Sequence, residues 1–370
     1  MSTYTSSIQW RDMKYALGYL APASAVVAIY FGGIVSFLTP FIMFVLIPIL
    51  EFFFTGTDVN FTKKEEETAK GKWIFDAMLY INVPIQWGVI IYMLFRVAGG
   101  DLETYEIVGM IVSAGMCCGI LGINVAHELG HRRKWYEQWM AKALLLSSLY
   151  MQFYIEHNRG HHKNVATDED PASSRYGEPI YFFIPRSIIF GYIGAWKLEF
   201  DRLRKDNSFL FGWSNEMVRF HVYEIAAVAA VYFIFGGIGA LAFVGAAAGG
   251  YFLLESVNYI EHYGLRRKEV APGRYEKCMP WHSWNSDHTF GRIMLYDLTR
   301  HSDHHYLAGR KYQVLRHFED SPQLPIGYPA AIVLSFIPPL WFAYMHPKIA
   351  KIEKGAHPEI KKDYGGMATA

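Results

Sequence analysis

Long apolar blocks separated by short polar segments dominate this chain and predict membrane-spanning helices. A bilayer core requires roughly 20 residues of helix, and most of the blocks approach or exceed that length. Thr39-Pro40 and the glycine-rich segment 236–239 are predicted to be two of the breaks between spans. The predicted spans are residues 15–37, 41–54, 73–95, 105–126, 218–235 and 240–258. The fold class is therefore an all-α integral membrane protein with six transmembrane helices.

The remaining segments are polar or rich in proline. Residues 55–72 are predicted to form a charged loop, and residues 127–217 and 259–370 a cap outside the bilayer. An apolar stretch at 324–345 contains four prolines, which disfavour a spanning helix, so we expect it to lie along the interface or to cover the site. Because no repeat, low-complexity tract or linker is evident, residues 1–370 are predicted to be one membrane-embedded domain.

The distribution of basic residues predicts the orientation. The turns on one side of the six-span arrangement lack Lys and Arg, whereas nearly all basic residues fall on the other side. The positive-inside rule makes that basic side cytoplasmic. Arg132-Arg133-Lys134 and the basic run 266–268 are interpreted as membrane anchors, with partner docking as the second interpretation. A net charge of +1 over 370 residues gives no basis for a nucleic-acid partner.

Cysteine usage narrows the chemistry. The chain has three cysteines, and no two of them form a Cys-x-x-Cys pair. Disulfides and cysteine-based metal or electron-transfer sites are therefore not expected.

Histidines form the candidate site. Nine of the fifteen lie at spacings of one, three or four residues, or at a predicted membrane-helix end. Neutral imidazole is a common ligand for iron, zinc and copper. His157 and His161 are four apart and would share one face of an α-helix, whereas His162 would point elsewhere. The nine are His127, His131, His157, His161, His162, His262, His301, His304 and His305.

Nine imidazoles exceed the four to six ligands that one metal ion accepts. Two metals, each with four or five histidines and an open position, fit the number, and histidines beside lipid suggest iron and dioxygen. We expect Glu128, Glu156, Glu261 and Asp303 to accept the second ring N–H of the ligands. Which histidines share a metal, and what bridges the metals, stays open.

The other histidines receive a plainer interpretation. His282 and His288 are interpreted as caps or a docking surface. The isolated ones are expected to be ordinary packing or hydrogen-bonding residues: His221, His317, His346 and His357.

At these residues the sequence resembles the membrane-bound alkane 1-monooxygenases, within the histidine-box superfamily of fatty-acid desaturases and hydroxylases. The boxes are HELGH, EHNRGHH and RHSDHH, and the segment 258–265, NYIEHYGL, is the most specific element. The resemblance covers roughly residues 20–345. It implies that all nine histidines bind two non-haem irons, with neither flavin nor haem in this chain.

The resemblance also implies the activity and its partners. The expected reaction is terminal hydroxylation of medium-chain n-alkanes with O2 as co-substrate. Electrons would come from rubredoxin, itself reduced by a rubredoxin reductase, and the protein would reside in the bacterial inner membrane with its site on the cytoplasmic side. Chain-length preference, channel residues and oligomeric state stay open.

Three alternatives use part of the same pattern. A membrane acyl desaturase or hydroxylase would have similar boxes but a different product. HELGH alone would suit an intramembrane zinc protease with Glu128 as base. A metal transporter, the non-enzyme alternative, would place polar residues along the middle of several spans.

Overall fold

The computed structural model describes residues 4–54 and 56–354. These residues are mostly helical, with a small antiparallel hairpin of β1 (Glu269–Ala271) and β2 (Arg274–Tyr275). The helices are α1 (Trp10–Phe31), α2 (Gly33–Phe53), α3 (Lys63–Lys70), α4 (Trp73–Ala98), α5 (Thr104–Gly130), α6 (Trp135–Ser147), α7 (153–164), α8 (Ile180–Lys205), α9 (Glu216–His262), α10 (Thr289–Met294), α11 (His301–Tyr306), α12 (Tyr328–Ser335) and α13 (Pro338–Lys354).

Five of these helices are long and apolar enough to cross a membrane, by length and composition: α1, α2, α4, α5 and α9. The 47 residues of α9 would extend about 70 Å as one straight helix, more than twice the hydrocarbon thickness. Gly236 interrupts it with φ +71° and ψ −175°, a conformation that glycine adopts at little cost. The break lies within the predicted segment 236–239.

The first turn lies elsewhere than predicted. It falls at Gly32 and Gly33, whose φ values are +63° and +53°, and not at Thr39-Pro40. A Cβ at Gly32 would lie 2.7 Å from Glu106 Oε1, a contact that the flexible Glu106 side chain can relieve, so the preference for glycine comes from the positive φ. Pro40 instead lies in the first turn of a regular α-helical stretch, where a missing N–H costs nothing.

The predicted charged loop at 55–72 contains a helix. Thr62 caps α3: its hydroxyl accepts from the Glu65 N–H, and the Glu65 carboxylate accepts from the Thr62 N–H. This reciprocal capping box satisfies two donors at the helix start, which stabilises even a short charged helix.

The proline-rich stretch 324–345 forms α12 and the start of α13. Tyr328 and Pro329 open α12, where proline is tolerated. The helix packs against α9 and α2 and lines the cavity described below, which matches the expected covering role.

The closest helix packing joins α5 and α9. A Cβ at Gly115 would lie 3.2 Å from Gly249 Cα, so the two backbones touch without side chains between them. The ends of the same two helices carry His127, His131 and His262, and α7 and α11 bring the other six histidines to them.

Candidate metal centre

All nine predicted histidines converge into two adjacent groups. Within each group, one ring nitrogen from each residue lies within 4.8 Å of all the others. The five-histidine group is His127, His131, His157, His162 and His304. The four-histidine group is His161, His262, His301 and His305. The groups adjoin, with the ring centroids of His162 and His305 only 4.7 Å apart.

The local helix geometry of α7 decides how its histidines divide. Residues His157–His161 form a π-helical turn, and the N–H of His162 bonds to the carbonyl of His157 five residues earlier. A π-turn therefore aligns positions five apart, and the Nε2 atoms of His157 and His162 lie 2.9 Å apart. The expectation that His162 points elsewhere was wrong, because it assumed an α-helix.

The other two boxes follow α-helical spacing. His127 and His131, four apart at the end of α5, enter the same group. His301 and His305, four apart on α11, enter the other group, with their Nε2 atoms 2.9 Å apart. His304 turns away to approach His127, with 2.8 Å between the Nε2 atoms.

Burial prepares these imidazoles to act as ligands. Desolvation disfavours the charged form, and it lowers the pKa of His131 to about 4. It also lowers the pKa values of His157, His162 and His304 well below the usual range. The neutral ring is the form that binds a metal ion.

The donor set fits a metal in each group. A hydrogen bond between two neutral imidazoles pairs one N–H donor with one nitrogen acceptor. Here the Nε2 atoms of several rings point at a common centre, so such bonds cannot satisfy all of them at once. A cation at that centre would satisfy all of them together. Imidazole donors suit iron, zinc and copper.

The four acids predicted to orient these rings make other contacts. Glu128 accepts from Arg132 Nε at 3.0 Å and from the Tyr312 N–H. Asp303 accepts from Arg310 Nε at 3.2 Å and from the Arg316 N–H at 2.8 Å, and burial raises its pKa to about 6. Both tie the site to the segment after α11, and the ion pair of Glu128 argues against a protease base.

Glu156 and Glu261 also depart from the expected role. Burial raises the pKa of Glu156 to about 8, and the residue lines a polar cavity behind the site. Glu261 Oε2 lies 3.2 Å from His301 Nε2, the nitrogen that faces the other histidines of its group. Glu261 therefore adds a carboxylate on the side where a metal would sit, and not on the outer ring nitrogen.

Asp170 has the orienting role that those acids lack. Its Oδ2 lies 2.9 Å from His161 Nδ1 and accepts from the Ser173 hydroxyl, while Oδ1 accepts from the Ala172 N–H. Although burial alone would lower the pKa of His161, the Asp170 carboxylate raises it. The sequence prediction chose acids in or beside the histidine boxes, whereas Asp170 lies nine residues after His161. The acidic run 168–170 was the signal that could have identified it.

Five of the remaining histidines have partners away from both groups. Their hydrogen-bonding partners include the Met217 carbonyl and the Tyr192 hydroxyl for His221, Asp287 for His317, the Tyr263 hydroxyl for His346, the Met279 N–H for His282 and Ser286 for His288. His357 lies outside the described residues.

An apolar cavity ends on both groups. About 90 Å³ of the cavity volume is open to the centre of a water-sized molecule. Its walls come from α2, α5, α9, α10 and α12, and its inner end is formed by His127, His157, His301 and Glu261. An apolar molecule lying in it would present one end to the two candidate metal positions.

These features define a class: a helical, membrane-type protein with two buried histidine groups at the end of an apolar cavity. Residues 105–346 match the fatty acid desaturase family. The chain belongs to that family and, within it, to the alkane 1-monooxygenases.

Relatives support this branch over most of the chain. It is 40% identical to alkane 1-monooxygenase 1 of Pseudomonas aeruginosa, over 82% of this chain and 80% of that one. It is 36% identical to alkane 1-monooxygenase of Pseudomonas putida, over 96% and 90%. The xylene/toluene monooxygenase hydroxylase component XylM of Pseudomonas putida is 27% identical over 91% and 89%.

Proposed function

We propose that this enzyme hydroxylates the terminal carbon of medium-chain n-alkanes. One oxygen atom of O2 enters the terminal C–H bond, the other leaves as water, and reduced rubredoxin supplies two electrons. The observation that carries this proposal is the apolar cavity whose inner end contacts histidines of both groups. The similarity to alkane 1-monooxygenases supports the same reaction.

The two groups would each hold one iron. The five-histidine group supplies five nitrogen donors, and the four-histidine group supplies four nitrogens together with the Glu261 carboxylate. Bound iron supplies the reduction of O2 and the oxidising power that breaks an alkane C–H bond. The chain itself contributes the rigid placement of the donors, because seven of the nine rings are buried.

Selectivity for the chain end follows from geometry. The methyl C–H bond is the least reactive in an alkane, so intrinsic reactivity would favour internal carbons. A narrow apolar cavity that admits a chain lengthwise presents only its end to the site. Substrate would enter from the lipid, where alkanes concentrate.

The membrane arrangement is also part of the proposal. If α9 crosses twice, with its break at Gly236, the five apolar helices give six spans. Both termini and the histidine groups would then face the cytoplasm of the bacterial inner membrane.

Electrons would enter beside the five-histidine group. His131 and His162 are only partly buried, and Arg133 and Lys134 are exposed next to His131. A donor with negative surface charge would be attracted there. Rubredoxin, kept reduced by a rubredoxin reductase, is the donor that this proposal assigns.

The test is product analysis of purified enzyme supplied with octane, O2, rubredoxin and rubredoxin reductase. The expected product is 1-octanol, with elemental analysis giving two irons per chain, one for each group. An alkene would indicate a desaturase, and a mixture of internal alcohols would contradict the role of the cavity.

A further inference from the structure

A second, polar cavity lies behind the histidine groups. It has about 20 Å³ open to the centre of a water molecule, enough for at least one water, since roughly 10–15 Å³ suffices. Its lining includes His157 and His161, one from each group, and polar side chains from α7, α8, α9 and the connection between α6 and α7. Those polar residues are Tyr150, Gln152, Glu156, Ser187, Glu255 and Asn258.

The proposed reaction has needs that an apolar cavity does not meet. Breaking the O–O bond places one oxygen in the alcohol and the other in water. That second oxygen takes up two protons, while the two electrons come from the donor. Protons must therefore reach the site and one water must leave it, and neither crosses an apolar passage readily.

Glu255 is the residue in this cavity that the histidine groups do not explain. It lies on α9, about 10 Å before the helix end at His262, and its side chain is buried. Its Oε1 accepts from the Tyr150 hydroxyl at 3.0 Å and its Oε2 from Asn258 Nδ2 at 3.2 Å. A buried carboxyl in an apolar membrane helix is costly, and such groups commonly mark proton paths.

Asn258 connects the two cavities. It lines both of them, one helical turn after Glu255 on α9. The hydrogen bond between their side chains thus lies in the wall that separates the polar cavity from the apolar one. Water at Glu255 would be close to the inner end of the apolar cavity without passing along its length.

We propose that the polar cavity is the route by which protons enter and water leaves the centre, and that Glu255 passes the protons. This inference rests on the proposed function, because it assigns a path to the protons and the water of that reaction. Tyr150 and Asn258 are positioning residues that hold the carboxyl at the wall.

The first experiment replaces Glu255 by glutamine in the iron-loaded enzyme in lipid nanodiscs. E255Q keeps the size of the side chain but cannot release a proton. The Tyr150 hydroxyl can still donate to the amide oxygen, and the Asn258 side chain can turn to accept from the amide nitrogen. We expect alcohol formation to fall roughly 100-fold, as for loss of a general acid. O2 consumption should continue in excess of alcohol formed, and iron content should stay at the wild-type level.

The matched control is E224Q. Glu224 is another glutamate of α9, and it is not among the residues that line the polar cavity; its carboxylate accepts from the Met151 N–H. E224Q should keep the wild-type ratio of alcohol to O2. An E255Q enzyme with that same ratio and rate would overturn the proposal, as would loss of iron from E255Q alone.

A second variant fills the cavity without replacing a carboxyl group. Gly191 of α8 lines it, and an added Cβ would meet only Glu156 Cγ at 3.9 Å, so a side chain can begin there without displacing a neighbour. G191L should lower the ratio of alcohol to O2 as E255Q does. An unchanged ratio in a folded G191L enzyme would contradict a route through this cavity.

A structural readout separates this inference from the proposed function. In a high-resolution structure of the wild-type enzyme we expect an ordered water within hydrogen-bonding distance of Glu255 or Tyr150, and its absence in G191L. A dry wild-type cavity would overturn the route. If the wild-type enzyme formed no alcohol from any alkane, the proposed function would fail whether or not that water is present.

Discussion

The carboxylate of Glu261 lies on the inner side of His301. Its Oε2 is 3.2 Å from His301 Nε2, and that nitrogen is 3.2 Å from His262 Nε2 and 2.9 Å from His305 Nε2. Glu261 therefore meets the point at which three imidazoles converge, from the position directly before His262 in the chain. The four-histidine group thus gains a carboxyl oxygen beside its four nitrogen donors.

This arrangement predicts the effect of E261Q. Replacing the carboxylate by an amide should weaken metal binding in the four-histidine group by at least about 10–100-fold, the loss typical for groups that support a metal site. Elemental analysis after dialysis should then show one retained iron per chain instead of two, because the five-histidine group is intact. Two irons retained in E261Q would show that the carboxylate is not a ligand.

Asp170 should affect metal binding through His161. D170N replaces an acceptor by an amide that can present N–H to His161 Nδ1, so the ring is no longer held in the orientation that directs Nε2 inward. We expect iron affinity to fall about 10–100-fold when metal-depleted protein is titrated with ferrous ion. D168N is the matched control, since Asp168 is exposed and pairs only weakly with Arg266. Equal affinities in the two variants would contradict the orienting role.

The histidine pattern predicted the residues of the site better than their partners. The sequence left open which histidines share a metal, yet a spacing of four does join His127 with His131 and His301 with His305, because those segments are α-helical. It failed at His157, because a π-turn depends on the packing around α7 and has no signature in the spacing itself.

The same limit applies to the orienting acids and the first turn. Adjacency in the sequence did not predict which carboxylates contact the imidazoles. Glu128 and Asp303 instead pair with nearby arginines, which bind a carboxylate more strongly than a neutral imidazole does. Asp170 reaches His161 through a loop whose path is set by tertiary structure. Thr39-Pro40 was predicted to be the break because proline commonly ends a helix, although in the first turn of a helix it causes no break; the turn falls at Gly32 and Gly33 instead.

The glycine contact between α5 and α9 predicts a stability effect. A leucine at Gly115 would place its Cβ 3.1 Å from the Ala246 carbonyl oxygen and 3.2 Å from Gly249 Cα, and backbone atoms cannot yield without separating the helices. G115L should lower the free energy of unfolding by about 1–3 kcal/mol or more, measured by thermal unfolding in detergent. G88L is the control, because Gly88 on α4 has no atom within 4 Å of an added Cβ. Equal melting temperatures would contradict tight packing at this crossing.

Charge reversal near the five-histidine group tests where electrons enter. The double variant R133E/K134E removes the exposed positive charge beside His131 and replaces it with negative charge. We expect the KM for rubredoxin to rise about tenfold, equivalent to roughly 1.4 kcal/mol, with little change in kcat at saturating donor. K205E, at the exposed end of α8, is the control. A rise in KM of the same size in K205E would place the donor elsewhere.

The length of the apolar cavity should limit the length of the alkanes that the enzyme accepts. Along α5, Ile120 lies about 10 Å and Met116 about 16 Å from His127, at 1.5 Å per residue, and both line the cavity. I120W should therefore exclude alkanes above a shorter limit than M116W does, because its indole fills the cavity nearer the site. The measurement is alcohol yield over a series of n-alkanes of increasing length, with V108W as the control, since Val108 faces outward on the same helix. If both cavity variants lowered every yield equally and left the longest accepted chain unchanged, the cavity would not be the substrate site.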